Sequence, residues 1–264
     1  MPKTYLITGA SGIGAQTAKL LVQTEPHAKD VQLFIAAREE ERCKALTYEL
    51  CALGATAEYR SGDLTNPDFA PQLMAACVSR FGRLDCLFNV AGISGRRFGD
   101  GPVQECTEEG WAVTIDTNLT TQYRMCREAV RVMLNQSTND HGLRGAILNM
   151  SSILGIDPEP RHFDMVAYAA SKGGILAMSR AIAASCAKEK IRVNAIAPSL
   201  VHTPMSARAS EDQDVLDFLK VKHPLLEGVI PAEAVAAACV YLLTDASRAM
   251  TGQTLIVDAG WSLA

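Results

Sequence analysis

The stretch T8-G-A-S-G-I-G14 lies between a short apolar run, Tyr5–Thr8, and a segment of helical periodicity, Ala15–Gln23. Glycines at a strand-to-helix turn let the backbone approach a phosphate closely, and the free N–H groups at the start of a helix attract its negative charge. In a parallel sheet such a turn lies at the carboxyl ends of the strands, where ligands bind. The stretch therefore predicts a nucleotide-binding βα unit; a plain tight turn before a helix is the alternative.

The same alternation continues along the whole chain. Short β-branched runs are separated by longer stretches of helical periodicity, which is typical of repeated βα units. This pattern predicts an α/β fold with a Rossmann-like doubly wound parallel sheet of about seven strands, helices on both faces, three α/β/α layers and a single domain over residues 1–264. The predicted strands are Tyr5–Thr8, Val31–Ala36, Ala57–Ser61, Cys86–Val90, Ala146–Met150, Arg192–Ile196 and Thr254–Val257, and the helical stretches include Ala15–Gln23, Glu39–Leu53, Ala70–Phe81 and Ala232–Leu243.

Composition limits the classes of partner. The net charge is -4, and Lys and Arg are spread along the chain, so there is no electrostatic footprint for nucleic acid or an anionic membrane. The eight cysteines include no C-x-x-C pair and no Cys/His cluster. This usage predicts reduced thiols, a cytoplasmic location and no metal site.

The run Y168-A-A-S-K172 places a tyrosine and a lysine on one face of a helix. A phenol normally titrates near ~10, and a fixed ammonium close by lowers its pKa by roughly 1–3 units. We therefore expect Tyr168 to exchange protons near neutral pH as a general acid and base. The pair alone is weak evidence, because such spacings also arise by chance.

An ordered set of motifs supports this interpretation. The set comprises the glycine turn, Asp63 in Gly-Asp-Leu-Thr, N89-V-A-G92, Asn118, Ser152, Tyr168-x-x-x-Lys172, the run from Val193 to Thr203, and T251-G-Q-T-L-I-V-D-A-G260. In this order the motifs resemble the short-chain dehydrogenase/reductase family of the compact single-domain type, and in particular carbonyl reductases like 3-oxoacyl-[acyl-carrier-protein] reductase. The resemblance implies an NAD(P)-dependent enzyme that interconverts a ketone and a secondary alcohol by hydride transfer.

The resemblance also implies a role for each catalytic residue. Tyr168 exchanges the proton, and Lys172 lowers its pKa and binds the nicotinamide ribose. Ser152 holds the carbonyl oxygen, and Asn118 positions a water that connects Lys172 to solvent. Each residue has an alternative interpretation: Asn118 mends a helix irregularity, Ser152 ends a strand, and Tyr168 is a half-buried core residue.

Cofactor contacts follow from the same resemblance. Asp63 binds the adenine amine beside Leu64, Asn89 lines the cleft and stabilises the sheet, and Thr203 meets the carboxamide. The cofactor-binding residues implied are Gly9, Ser11, Gly12, Ile13, Gly14, Arg38, Asp63, Leu64, Asn89, Ala91, Gly92, Tyr168, Lys172, Pro198, Val201 and Thr203.

The choice between the two nicotinamide cofactors depends on the end of the second predicted strand. An acidic side chain there would bind the ribose hydroxyls of NAD(H) and repel a 2′-phosphate. This chain has Ala37 followed by Arg38, whose guanidinium suits a phosphate. The sequence predicts NADP(H), with NAD(H) as the alternative if Arg38 pairs instead with the acidic residues of Glu39–Glu41.

Two departures from the family pattern stand out. The glycine turn is one residue shorter than usual, which gives its first two glycines the spacing of epimerase-like relatives. Fifteen residues separate Ser152 from Tyr168, more than the family usually has. We expect this longer segment to bulge beside the substrate pocket, with Ser151 as a reserve candidate for the role of Ser152.

The substrate is not fixed by the sequence. Residues 204–228 resemble the family's lid, which closes over the substrate. Arg96 and Arg97 follow Gly95 where family members often contact substrate, and they attract an anionic group or belong to a solvated loop.

Assembly and rival functions complete the predictions. The helix after Tyr168 is rich in Gly, Ala and Ser and predicts a homotetramer, with a dimer as second choice and packing within one subunit as the alternative. Three rival functions remain: a nucleotide-binding sensor or scaffold without turnover, an epimerase, and an enoyl reductase. Enoyl reductases usually space the tyrosine and lysine further apart.

Overall fold

The computed structural model describes residues 2–24 and 28–264, which contain a seven-stranded sheet. The strands are β1 (Lys3–Ile7), β2 (Val31–Ala37), β3 (Thr56–Ser61), β4 (Cys86–Asn89), β5 (Gly145–Met150), β6 (Ile191–Pro198) and β7 (Thr254–Val257). Their order is β3-β2-β1-β4-β5-β6-β7, and all neighbours are parallel. The predicted doubly wound parallel sheet is confirmed.

Helices connect successive strands. They are α1 (Gly12–Thr24), α2 (Glu40–Ala52), α3 (Phe69–Phe81), α4 (Glu108–Ile115), α5 (Thr121–Leu134), α6 (Pro160–Phe163), α7 (Val166–Cys186), α8 (Ala207–Glu211), α9 (Gln213–Lys222) and α10 (Ala232–Leu243). The helix α1 begins at Gly12 rather than at the predicted Ala15. The reason is that the glycines of the turn form its first residues, and hydrophobic periodicity does not detect glycine.

Two apolar layers hold the helices against the sheet. Successive residues of a strand point to opposite faces, so Ile7 packs in one layer with Leu21 of α1 and Val235 of α10. Its neighbour Leu6 packs in the other layer with Leu73 of α3. Because both faces are covered, the strands appear in the sequence as nearly continuous apolar runs.

The sheet changes direction beside β1. The chain passes from β1 to β2 and β3 on one side, and then crosses to β4 on the other side. Ligands of such sheets bind outside the carboxyl ends of the strands at this switch point. The glycine turn after β1 lies there, where the hydroxyl of Thr8 accepts a hydrogen bond from the backbone N–H of Val90 at 3.1 Å.

The eight cysteines are all free thiols, as predicted, and six of them are buried. Burial raises the pKa of Cys77, Cys126 and Cys239 to about 12. Within the described part of the chain, none of the helices combines the length and apolarity needed to cross a bilayer.

Candidate active site

The helix that carries Tyr168 is capped by a distant loop. The backbone N–H of Val166 donates to the carbonyl oxygen of Gly101 at 3.0 Å. The next two N–H groups, of Ala167 and Tyr168, donate to the two carboxylate oxygens of Asp100 at 3.0 and 2.9 Å. Asp100 is only 6% exposed. It satisfies helix donors that have no partner within α7 and thereby fixes the first turn. Sequence reasoning missed Asp100, because no local pattern links it to this helix.

Tyr168 and Lys172 lie one helical turn apart. The Lys172 ammonium is 5.4 Å from the centroid of the Tyr168 ring and donates a hydrogen bond to the carbonyl oxygen of Met150 at 3.1 Å. Lys172 is 4% exposed. Burial lowers the pKa of Lys172 to about 8, so most of the lysine is charged at neutral pH.

The pKa of Tyr168 is not lowered, contrary to the expectation drawn from its spacing to Lys172. Burial raises the pKa of Tyr168 above its ordinary value, and a hydrogen bond with Ser152 acts in the opposite direction. The ammonium lies over the ring and is bonded to Met150, and it is itself removed from water. We therefore correct the expectation: the phenol stays protonated at neutral pH because desolvation disfavours the phenolate.

Ser152 and Ser151 have different partners. The hydroxyl of Ser151 is buried and donates to the carbonyl oxygen of Lys172 at 2.7 Å. The hydroxyl of Ser152 accepts from the backbone N–H of Leu154 at 3.2 Å and bonds to Tyr168. The structure thus brings Ser152, and not the reserve candidate Ser151, to the phenol.

Asn118 lies in a π-helical turn between α4 and α5. Its side chain is fully buried, accepts from the backbone N–H of Ile93 at 2.8 Å and donates to the carbonyl oxygen of Ile93 at 3.0 Å. A Cβ at Gly92 would lie 2.9 Å from the Asn118 Oδ1 atom and 3.6 Å from the Lys172 Nζ atom. The Asn118 amide therefore joins the π-helical turn to the loop after β4, close to Lys172.

The glycine turn is closely packed and fits a dinucleotide. A Cβ at Gly9 would lie 2.9 Å from Val90, and one at Gly14 would lie 2.7 Å from the carbonyl oxygen of Gly9. Gly12 has a φ of 53°, and a Cβ there would contact Thr203 at 3.0 Å. Only glycine fits these positions, and the backbone N–H groups at the start of α1 are left open to a diphosphate. The close packing of the shortened turn is therefore compatible with a phosphate cradle.

A cavity of about 300 Å³ joins this turn to Tyr168. It brings three of the four predicted catalytic residues, Ser152, Tyr168 and Lys172, together with predicted contacts of the nicotinamide half. The predicted residues in its wall are Gly9, Ser11, Gly12, Ile13, Ala91, Gly92, Ser152, Tyr168, Lys172, Pro198, Val201 and Thr203. The predicted residues that lie outside its wall are Gly14, Arg38, Asp63, Leu64, Asn89 and Asn118.

At the predicted adenosine end, Arg38 is exposed directly after β2. The nearby acid Glu39 pairs with Arg42 at 2.8 Å, and Arg38 makes no ion pair with any residue that the structure describes. The expected alternative, an Arg38 pair with the start of α2, is therefore not found. Asp63 accepts from both the backbone N–H and the hydroxyl of Thr65 at 2.9 Å through one carboxylate oxygen.

Asn89 is a structural residue in this fold. Its side chain is 1% exposed and donates to the side-chain oxygen of Asn149 at 2.9 Å. Asn149 in turn donates to Ser179 of α7 at 2.9 Å. The sheet-stabilising role expected for Asn89 agrees with these contacts, whereas the cleft-lining role does not. Leu64 is partly buried against the α3 and α5 layer.

The longer segment between Ser152 and Tyr168 contributes to the cavity, as predicted, through Phe163 and Met165. Sequence reasoning missed Trp261 at the C-terminal end, whose ring centroid lies 5.9 Å from that of Phe163. The unusual length of the segment indicated that it lies beside the pocket, but nothing in the sequence indicated that Phe163 would contact Trp261.

The predicted lid, residues 204–228, forms a 3-10 turn followed by α8 and α9. Its end is tied to Ser199, the residue after β6, through His223, which is fully buried. The His223 ring bonds to the carbonyl oxygen of Gly228 at 2.6 Å and to the hydroxyl of Ser199 at 2.7 Å. Burial lowers the pKa of His223. Since a carbonyl only accepts, Nδ1 of the neutral ring donates to Gly228, and Nε2 accepts from Ser199.

Charged side chains in the cavity wall are all basic, namely Arg96, Lys172 and Arg208. Arg97 lies outside the wall and stacks on Phe98 at 4.7 Å. Over residues 2–24 and 28–264, no group of three or more His, Cys, Asp or Glu side chains is arranged to hold a metal.

Comparison with known proteins agrees with this geometry. A family model described as enoyl-(acyl carrier protein) reductase matches residues 7–262. The chain is 31% identical to an acetoacetyl-CoA reductase of an Acinetobacter strain over 98% of this chain and 97% of that protein. It is also 31% identical to the 3-oxoacyl-[acyl-carrier-protein] reductase FabG of Chlamydia muridarum over 98% and 96%.

Solved structures show the same similarity. The crystal structure of gox2181 has a TM-score of 0.89 and 26% identity, covering 100% of this chain and 96% of the other. An actinorhodin polyketide ketoreductase with NADPH has a TM-score of 0.86 and 29% identity, covering 100% and 98%. The chain belongs to the short-chain dehydrogenase/reductase family. It is an NAD(P)-dependent oxidoreductase that acts on CH–OH and C=O groups.

Proposed function

We propose that this enzyme interconverts a ketone and a secondary alcohol with NADP(H) as the preferred cofactor and Tyr168 as the general acid and base. One observation carries the proposal: Tyr168, Ser152 and Lys172 meet in a cavity that reaches the glycine turn. The cavity joins a proton donor to a phosphate cradle in the arrangement that carbonyl reduction needs.

When bound, the cofactor supplies the hydride that the carbonyl carbon accepts. Tyr168 donates its phenolic proton to the carbonyl oxygen. Its raised pKa keeps the proton in place at neutral pH. Ser152 donates a second hydrogen bond to that oxygen, where negative charge develops during reduction.

Lys172 acts on the phenolate that remains after proton transfer. Its ammonium, 5.4 Å from the centroid of the Tyr168 ring, stabilises the negative charge. Lys172 also holds the nicotinamide ribose, and Asn118 positions a water that returns protons to Tyr168 through Lys172. These two roles follow from the family resemblance and agree with the burial of both side chains.

The preference for NADP(H) rests on the end of β2. The last residue of β2 is Ala37 and not an acid. Arg38 has no ion-pair partner among the described residues, so its guanidinium is available to a 2′-phosphate. The NADPH bound to the actinorhodin ketoreductase structure supports the same choice. Asp63 and Leu64 follow β3, next to β2, and we assign them to the adenine.

The rival functions are less well supported. The Acinetobacter and Chlamydia relatives and the actinorhodin ketoreductase are all named as reductases, and none of them is named as a sensor, scaffold or epimerase. The description of the family model includes enoyl reduction. Only three residues separate Tyr168 from Lys172, whereas the family resemblance implies a wider spacing for enoyl reductases.

We also propose a single domain over 1–264, a cytoplasmic location and a homotetramer, with a dimer as second choice. One sheet runs from Lys3 to Val257, which supports the single domain. Trp111 of α4 and Tyr123 of α5 are large side chains exposed on successive helices, and exposed aromatic side chains suit an interface. At the C-terminus Leu263 is 91% exposed and is suited to a second contact.

The test is equilibrium binding of NADPH and NADH by nicotinamide fluorescence, followed by absorbance assays with a panel of ketones and diketones. Tighter NADPH binding with turnover of at least one ketone is expected. Binding of neither cofactor would support the scaffold alternative, and cofactor retention with turnover of a sugar nucleotide would support an epimerase.

A further inference from the structure

The cavity wall carries only positive charge, although the net charge of the protein is -4. No Asp or Glu of the described residues lies in that wall. Catalysis accounts for Lys172, but it makes no use of Arg96 or Arg208. Two arginines facing one cavity with no acid beside them in its wall need a separate explanation.

Arg96 is held in place by its loop. It follows Gly95, which has a φ of 82°, and a Cβ at Gly95 would collide with the Thr114 hydroxyl. One guanidinium nitrogen of Arg96 donates to the carbonyl oxygen of His162. A guanidinium has about five N–H donors, so donors remain for a ligand.

Arg208 lies on α8 in the lid and makes no hydrogen bond or ion pair within the described ranges. Its charge acts on Arg96: burial first, and then the repulsion from Arg208, lower the pKa of Arg96. Both side chains line the same cavity, and their like charges repel each other. An anion bound between Arg96 and Arg208 would offset this repulsion and accept hydrogen bonds from the N–H groups of both guanidinium groups.

Two carboxylates near Arg96 do not fill this role. Asp100 and Asp164 raise the pKa of Arg96, but neither lines the cavity. Both oxygens of Asp100 are already used by backbone N–H groups of α7. The positive charge that faces the cavity is left for a ligand.

We propose that Arg96 and Arg208 bind an anionic group of the substrate, a carboxylate or a phosphate, while Tyr168 and Ser152 hold its ketone. The inference rests on the proposed function, because it places the second group relative to a reacting carbonyl. The wall of the same cavity also carries apolar side chains, among them Phe163, Met165 and Trp261, so an aliphatic or aromatic spacer fits in it. The substrate class is a ketone with an oxyanion at the other end.

The experiment compares ketones that differ only in charge. Oxo acids of increasing chain length are assayed with NADPH, each beside its methyl ester, and oxo alkyl phosphates form a second arm. For the wild type we expect one chain length at which kcat/KM for the anion exceeds that for the neutral partner by at least about 10-fold. The arm with the larger preference identifies the anion.

Variants then test the two arginines. Arg96→Gln and Arg208→Gln should each reduce the anion-to-ester ratio of kcat/KM by about 10-fold. The matched control is Arg97→Gln, which removes an equal charge from the same loop but outside the cavity, and it should keep the wild-type ratio. An equal loss of ratio in Arg97→Gln would overturn the proposal, because it would show only a long-range charge effect.

Two further measurements separate this inference from the proposed function. Quenching of tryptophan fluorescence reports binding of the oxo acid and its ester near Trp261, independently of turnover. Ester turnover with no preference for the anion in either assay would overturn the inference and leave the reductase. Tighter binding of the anion without turnover of any ketone would support the inference and contradict the proposed reaction.

The NADPH affinity of Arg208→Gln is a separate outcome. A loss of NADPH affinity at an unchanged anion-to-ester ratio of kcat/KM would assign Arg208 to the cofactor and overturn the proposal.

Discussion

One carboxylate oxygen of Asp100 accepts a hydrogen bond from the backbone N–H of Tyr168 at 2.9 Å. The other oxygen accepts from Ala167 at 3.0 Å. A loop that precedes α4 thus holds the first turn of the helix that carries the proton donor.

Asp100→Ala should therefore reduce both stability and activity. Loss of two charge-assisted hydrogen bonds at a buried helix start lowers the free energy of unfolding by about 2–3 kcal/mol. Urea denaturation measures this loss, and kcat should fall with it because Tyr168 is no longer fixed. Asp100→Asn keeps one acceptor and should lie between the wild type and Asp100→Ala. Equal stability of all three proteins would contradict the assigned capping.

The rate of ketone reduction should be nearly independent of pH in the neutral range and should fall above about pH 8. The raised pKa of Tyr168 keeps the phenol protonated throughout this range, whereas Lys172, with a pKa of about 8, loses its charge. The measurement is kcat against pH at saturating NADPH, with circular dichroism to verify that the fold persists. A rate that increases above pH 8 would contradict these assignments.

The free-energy cost of burying Lys172 should also appear in the pH dependence of protein stability. The pKa of Lys172 is about 8 in the folded protein against 10.5 for an ordinary lysine. Between these values the unfolded chain binds more protons, so the Lys172 contribution to the free energy of unfolding rises with pH and is most unfavourable below about pH 8. Lys172→Met should be more stable than the wild type near pH 7, by at most about 3 kcal/mol, and nearly inactive. The difference in unfolding free energy between Lys172→Met and the wild type should decrease as the pH is raised to about 10.5. A difference that stays constant with pH would contradict the assigned burial cost.

The preference for NADPH over NADH should depend on the residues at the end of β2. Ala37→Asp combined with Arg38→Leu supplies an acceptor for ribose hydroxyls and removes the phosphate partner. The NADPH-to-NADH ratio of kcat/KM should fall by about 10–100-fold. Arg42→Leu is the matched control, since Arg42 pairs with Glu39 and should not alter the ratio. An unchanged ratio in the double variant would refute the assignment of Arg38.

Local patterns were sufficient for the fold. Apolar runs and glycine spacing predicted the strands and the phosphate turn, because both depend on residues close in the chain. The Tyr168 and Lys172 spacing likewise predicted a shared helix face. In each case the signal lies within a few residues.

Features that depend on distant contacts were not predicted. Asp100 reaches Tyr168 across 68 residues, and Arg208 of α8 lines the same cavity as Arg96, which follows β4 in the sequence. The prediction of a lowered pKa for Tyr168 was wrong for a related reason. The spacing to Lys172 indicated only a nearby charge, whereas the burial that raises the pKa arises from the whole fold. Asn89 was assigned to the cleft because its neighbours line it, yet its side chain points into the sheet.

The most direct test of the central claim is the rate of NADPH-dependent ketone reduction by Tyr168→Phe. The ring and its packing remain and only the proton donor is lost, so NADPH affinity and the fold should be unchanged while kcat falls by about 10²–10⁴-fold. Wild-type turnover by Tyr168→Phe, with normal NADPH binding, would contradict the assignment of Tyr168 as the general acid.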